Sequence, residues 1–221
     1  GVSSRYFQPL AAELAHHGAV YLVDLPGYGA APSPRRDVPI DGHAGVLASL
    51  LRRAGLEHAV LIGHSWGSQV VARLAEQHPA TASRIVLMAP TIEPERRSLG
   101  RAAFSLLRDG FREPPVVWGI AITDYLMRCG VPYLLRQTPH MLQDALEARV
   151  GRLSAPVLVI TGDRDPIASA SWGRELAGRA PDGRFREVRG PHVIMHTDPV
   201  MVARHITGWL TGDEPDAGGA R

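Results

Sequence analysis

The 221-residue sequence is short of several things a protein can be built around. It has one cysteine, Cys129, so no disulfide can close within the chain and a C-x-x-C metal site is excluded; a reducing compartment, the cytoplasm, is the expectation. It has no lysine, and all 24 basic residues are arginine, an absence that fits a GC-rich bacterial genome because lysine codons are AT-rich. The arginines are interspersed with 22 acidic residues, giving a net charge of +2 and no basic block, so nucleic-acid binding is not indicated. No apolar run approaches the roughly 18 residues of a membrane span. The opening GVSSRYFQPL lacks the basic start and apolar stretch of a signal peptide. What is left, at 45% hydrophobic and 21% charged, is an ordinary globular composition with enough chain to bury a substantial core.

What the sequence does have is a regular alternation. Four apolar runs, AVYLVDL (19–25), AVLIG (59–63), RIVLMAP (84–90) and PVLVITG (156–162), are hydrophobic without a period of two, the mark of strands covered on both faces. Three segments, 5–18, 41–55 and 66–79, space their apolar residues by three or four and end at Gly or Pro, as helices do. Strands alternating with helices of this length predict an α/β fold with a doubly wound, mostly parallel sheet. The alternation stops after Pro90: residues 91–152 carry helical periodicity and no strand-like run, which reads as a helical lid inserted in the core formed by 1–90 and 153–211. The pattern then predicts a helix near 169–179, a short strand FREV (185–188) and a helix from Pro199 to Leu210, while the polar 212–221 reads as a disordered tail.

The chemistry centres on LIGHSWGSQVV (61–71). Alone, G-x-S-x-G is weak, since a chain of this composition contains it by chance in roughly one case in eight. Here it lies between an apolar strand and a helix, the setting in which a serine on a sharp turn is exposed as a nucleophile. The two flanking glycines, Gly63 and Gly67, are expected to relieve crowding at that turn, and the backbone N–H of Trp66 at the helix N-terminus is one expected oxyanion donor. A serine nucleophile needs a base, and the base an acid to orient it. PVLVITGDRDPI offers Asp163 and Asp165 at the end of a later strand; the turn after Gly162 favours Asp165, with Asp163 bonding local backbone. RGPHVIMHTDP offers His192 and His196; His192 lies in the loop and is preferred as base, His196 one turn closer to the last helix.

With GHSWG, TGDRD and GPHVIMHTDP in the order Ser, Asp, His, the chain resembles the α/β-hydrolases over nearly its whole length. DLPGYGAAPSP (24–34) is similar to the family segment D-x-P-G-x-G-x-S, with Ala31 at the final serine position and Asp24 read as structural. The resemblance implies a catalytic triad of Ser65, Asp165 and His192, no metal and no other cofactor, and a small-molecule acyl substrate. It also implies a strand and a His-Gly oxyanion loop just upstream of the first helix. The sequence starts past that motif, so one central strand between AVYLVDL and AVLIG is expected to be missing, with Gly1 and Val2 as remnants of the loop.

A carboxylic ester with a hydrophobic acyl or alcohol group is the expected substrate. Phe104, Leu106, Phe111, Trp118, Ile120, Tyr125, Met127, Tyr133 and Met141 of the lid are candidates to line its pocket. The alternatives are a proline-iminopeptidase-like aminopeptidase, in which Glu93 and Glu95 hold the substrate amine, a carbon–carbon bond hydrolase, and a non-catalytic binding protein on the same fold. His64 stands where the iminopeptidase pattern has a glycine.

Overall fold

Ile85, Val86, Leu87 and Met88 are adjacent in sequence and all fully buried. Neighbouring side chains of a strand point to opposite faces, so a run of this kind requires a sheet covered on both sides. The computed structural model, which describes residues 3–91, 93–94, 119, 123 and 130–213, has that architecture. Its strands are β1 (Ala59–His64), β2 (Ala82–Met88), β3 (Val157–Gly162) and β4 (Gly183–Val188), all parallel and in the order β1-β2-β3-β4. In chain order the α-helices bounded within the described residues are α1 (Gln8–Leu14), α2 (Ile40–Ala54), α3 (Trp66–Gln77), α4 (Val131–Gln143), α5 (Leu146–Val150), α6 (Ala170–Arg179), α7 (Ile194–Thr197) and α8 (Pro199–Thr211). No helix among the described residues is long and apolar enough to cross a membrane.

The alternation of side chains divides the core in two. On one face Leu61, Ile85, Leu87, Val157 and Val159 pack with Leu47 of α2, Leu74 of α3, Leu146 of α5 and Leu176 of α6. On the other, Val86, Met88, Leu158 and Ile160 pack with Leu10 of α1, Ile194 of α7 and Ile206 of α8. The helix ends follow local chemistry. Gly55, left-handed at φ 65°, closes α2 by donating to Leu51 and Arg52. Ser169 caps α6 through Trp172 N–H at 3.1 Å, and Asp198 caps α8 ahead of Pro199.

The expected strand AVYLVDL does not form. Residues 19–25 carry no secondary structure, and Val20, Tyr21, Leu22 and Val23 are exposed, Tyr21 by 62%. A strand is completed by backbone partners as much as by apolar side chains. Among the described residues β1 pairs with β2 on one side only, and across from its other edge residues 19–23 and Val60, Leu61 and Ile62 line a cavity of about 570 Å3. The run has the composition of a covered strand, and no described strand pairs with it. Of the segment read as a lid, α4, α5 and the residues around them are described; residues 95–118, and with them Phe104, Leu106, Phe111 and Trp118, lie outside the described residues, as do Gly1, Val2 and 214–221.

The elements on the α2/α3 face are joined by an ion network around Glu76 of α3. Its carboxylate accepts from Arg73 Nη1 at 2.7 Å, Arg149 Nε at 3.0 Å and Arg152 Nε at 2.8 Å, while Arg149 also reaches the Asp144 carboxylate at 2.7 Å. Burial alone would raise the Glu76 pKa; the hydrogen bonds from Arg73, Arg152 and Arg149 overcome it and hold it at about 2, against an ordinary 4.5. A depressed carboxylate pKa stabilises the fold above the unfolded value, and the contribution is lost as pH falls through the folded one. Glu76→Gln is therefore expected to cost on the order of 1–3 kcal/mol in urea unfolding at neutral pH. The gap from wild type should close between about pH 4.5 and about pH 2; a gap unchanged over that range would contradict the assignment.

Candidate active site

β1 turns into α3 at Ser65, whose backbone stands at φ 54° and ψ −124°. A positive φ is uncommon outside glycine and is kept only where surrounding structure enforces it. Here Ser65 N–H donates to Met88 O at 2.9 Å, Ser68 N–H donates to Ser65 O at 3.1 Å, and the Ser68 hydroxyl donates to Gly63 O at 3.1 Å. The turn is crowded at one glycine only. A Cβ on Gly63 would lie 2.5 Å from Gly67 O and 2.7 Å from Val71 Cγ2, whereas one on Gly67 meets nothing within 4 Å. The expectation that both glycines relieve crowding is thus corrected: the carbonyl of Gly67 is the obstacle, and Gly63 is the residue that must stay small. Gly63→Ala should lower stability by about 3 kcal/mol, at the upper end of the usual overpacking cost, in urea unfolding, while Gly67→Ala should cost under about 1 kcal/mol. Equal losses would contradict this account of the turn.

Trp66 is the first residue of α3, so its N–H, beside Ser65, belongs to the helix end that has no intrahelical acceptor. Its buried indole packs against Tyr28 at 5.3 Å and edge-on to His43 at 4.8 Å between centroids, which anchors that end of the helix.

Two loops at the carboxyl ends of β3 and β4 bring Asp165 and His192 together. The Asp165 side chain is wholly buried, and its two oxygens have separate partners: Oδ1 accepts from Ile167 N–H at 2.7 Å and Ala168 N–H at 3.0 Å, and Oδ2 lies 2.8 Å from His192 Nδ1. The backbone bonds fix the plane of the carboxylate, and the remaining oxygen aims at the imidazole. Asp163 does something else. Its Oδ1 accepts from Gly190 N–H at 2.8 Å, in the loop that carries His192, and lies 3.5 Å from Arg164 Nε of its own turn, so its backbone partner is the distant loop and not the local turn. That loop also runs close against β3, since a Cβ on Gly162 would sit 2.3 Å from Gly190 O. His196 lies on α7, where its N–H bonds Val193 O at 2.9 Å and its buried Nδ1 has no partner among the described residues.

Other residues singled out in the sequence are engaged with partners of their own or lie outside the described residues. Glu93 accepts from the Ser169 hydroxyl that caps α6, so its carboxylate is engaged, and Glu95 lies outside the described residues. Tyr133, a candidate pocket residue, is buried with its hydroxyl on Pro26 O at 2.9 Å, which makes it a packing residue between α4 and the loop after residue 25. The main-chain oxygen of Met141 accepts from Gln69 at 2.9 Å. Ile120, Tyr125 and Met127 lie outside the described residues.

Residues 1–122 match the family described as alpha/beta hydrolase fold. The chain is 28% identical over 213 residues to a pimeloyl-[acyl-carrier protein] methyl ester esterase of Chromobacterium violaceum, covering 85% of this chain and 81% of that protein. It is 22% identical over 233 residues to a 2-(acetamidomethylene)succinate hydrolase of Mesorhizobium japonicum, covering 94% and 84%. Among solved structures it superposes on the enol-lactonase of Burkholderia xenovorans LB400 with a TM-score of 0.80 at 22% identity, over 95% of this chain and 87% of that one. The thermophilic esterase of Thermogutta terrifontis gives 0.79 at 20% identity, over 96% and 87%.

Proposed function

Because the chain belongs to the α/β-hydrolase fold family, we propose that it is a serine hydrolase that cleaves a small carboxylic ester through Ser65, His192 and Asp165. The observation that carries the reading is the 2.8 Å pairing of a wholly buried Asp165 oxygen with His192 Nδ1, together with Ser65 held at positive φ on a strand-to-helix turn, next in sequence to His64, whose ring lies 4.7 Å from that of His192. In this mechanism Asp165 keeps the hydrogen of His192 on Nδ1, which leaves Nε2 as the basic atom. His192 Nε2 takes the Ser65 proton as Oγ attacks the ester carbonyl. The Trp66 N–H, at the positive end of α3, stabilises the oxyanion that forms. The intermediate collapses as His192 returns the proton to the departing alcohol, leaving an acyl-Ser65. Water, deprotonated by the same nitrogen, then releases the acid and restores the serine. Residues 91–152 are proposed as the lid over this site.

The ester preference draws on the names of two proteins the chain is similar to, a methyl ester esterase and a thermophilic esterase. The engagement of Glu93 with Ser169 weighs against an aminopeptidase that holds a substrate amine there. A panel of p-nitrophenyl acyl esters beside aminoacyl amides tests this choice. Turnover of esters with the amides inert is the expected result; turnover of the amides alone would overturn it.

A further inference from the structure

The junction between β1 and the loop after β4 holds two histidines. His64, the last residue of β1 and the neighbour of Ser65, is buried, and its ring lies 4.7 Å from that of His192 at an interplanar angle of 51°, with Phe7 edge-on at 6.2 Å. Its Nε2 is 3.0 Å from the main-chain oxygen of His192. A carbonyl oxygen only accepts, so this nitrogen carries the hydrogen and donates it. Burial first, and then the neighbouring His192, keep the His64 pKa well below its ordinary value, so the ring is neutral and sits beside His192 without adding a charge.

A proton acceptor works only if it is held to within a few tenths of an ångström of the atom it serves. Asp165 fixes the side chain of His192, from β3. The main chain of His192 arrives by a separate loop, 128 residues away in sequence from His64, and the bond from His64 ties that main chain to the strand end that presents Ser65. We propose that His64 is a positioning residue, whose Nε2–H bond to the His192 carbonyl sets the base against the nucleophile. The inference rests on the Ser65 and His192 roles proposed above. A ring that merely filled space would be replaced well by phenylalanine, whereas a donor would not.

The test compares wild type, His64→Phe and His64→Gln in p-nitrophenyl ester turnover, in the rate at which a fluorophosphonate labels Ser65, and in melting temperature. His64→Phe is expected to lower kcat and the labelling rate by about 10- to 100-fold, the scale of a misplacement by an ångström or less, with KM little changed and a melting temperature lowered by a few degrees as the buried His192 carbonyl loses its donor. His64→Gln, which keeps a donor, should recover most of the loss. Wild-type kcat in His64→Phe, or a loss in His64→Gln as large as in His64→Phe, would overturn the proposal. Nitrogen-15 NMR of the wild-type histidines reads the same bond without a variant or a turnover: His64 should remain a neutral Nε2–H tautomer from about pH 5 to about pH 8. A Nδ1–H tautomer or an imidazolium in that range would overturn the positioning bond even if His64→Phe fails to fold. A wild-type chain that no fluorophosphonate labels would count against the hydrolase reading, while the NMR result still decides the His64 bond.

Discussion

Ser65→Ala should reduce ester turnover by several orders of magnitude, on the order of 10⁶-fold in kcat where a triad acts as a unit, while leaving the protein folded. In the proposed mechanism the loss is large because the hydroxyl oxygen is the atom that forms the covalent bond, and no neighbour can take its place. The hydroxyl of Ser68, the nearest serine in sequence, is turned to Gly63 O at 3.1 Å and serves the turn. The fold should survive because what holds Ser65 at positive φ is main-chain bonding, Ser65 N–H to Met88 O and Ser68 N–H to Ser65 O, and alanine keeps both. Steady-state kinetics with a p-nitrophenyl ester and a melting curve check the two halves; turnover within tenfold of wild type would remove Ser65 from the reaction.

Asp165→Asn should cost about 10⁴-fold in kcat with nearly unchanged stability. The amide oxygen can still accept from Ile167 N–H and Ala168 N–H, so the turn keeps its bonds. The amide nitrogen then faces His192 Nδ1 and donates where the carboxylate accepted. The imidazole is forced into the tautomer with its hydrogen on Nε2, which cannot accept a proton from serine. The same substitution at Asp163 keeps an amide oxygen to accept from Gly190 N–H and removes only the charge of a solvent-exposed ion pair with Arg164, so it should leave kcat within about tenfold of wild type. A larger loss at Asp163 than at Asp165 would exchange their roles.

The α/β architecture was legible because unbroken apolar runs such as RIVLM and VLVI have few alternatives to a strand packed on both faces, and three of the four runs are in the sheet. The fourth, 19–25, has the same composition, yet pairing depends on what lies beside a strand, and composition does not carry that. GHSWG, TGDRD and GPH were legible as residues the fold brings to one end of the sheet, because each lies at or just past the carboxyl end of a strand. Details set by contacts between distant segments were not legible. The sequence does not tell that Asp163 reaches Gly190, that Glu93 is held by Ser169, or that the obstacle at Gly63 is the carbonyl of Gly67. His64 was the least visible of all, since its partner is a main-chain oxygen, an atom every residue has.

The central claim, that Ser65 is an activated nucleophile, is tested most directly by incubating the protein with a fluorophosphonate and mapping the adduct by peptide mass spectrometry. The account predicts one phosphonylated residue, Ser65, with labelling lost in Ser65→Ala and strongly slowed in His192→Ala. No adduct on a folded protein, or an adduct on another serine that persists in Ser65→Ala, would contradict it.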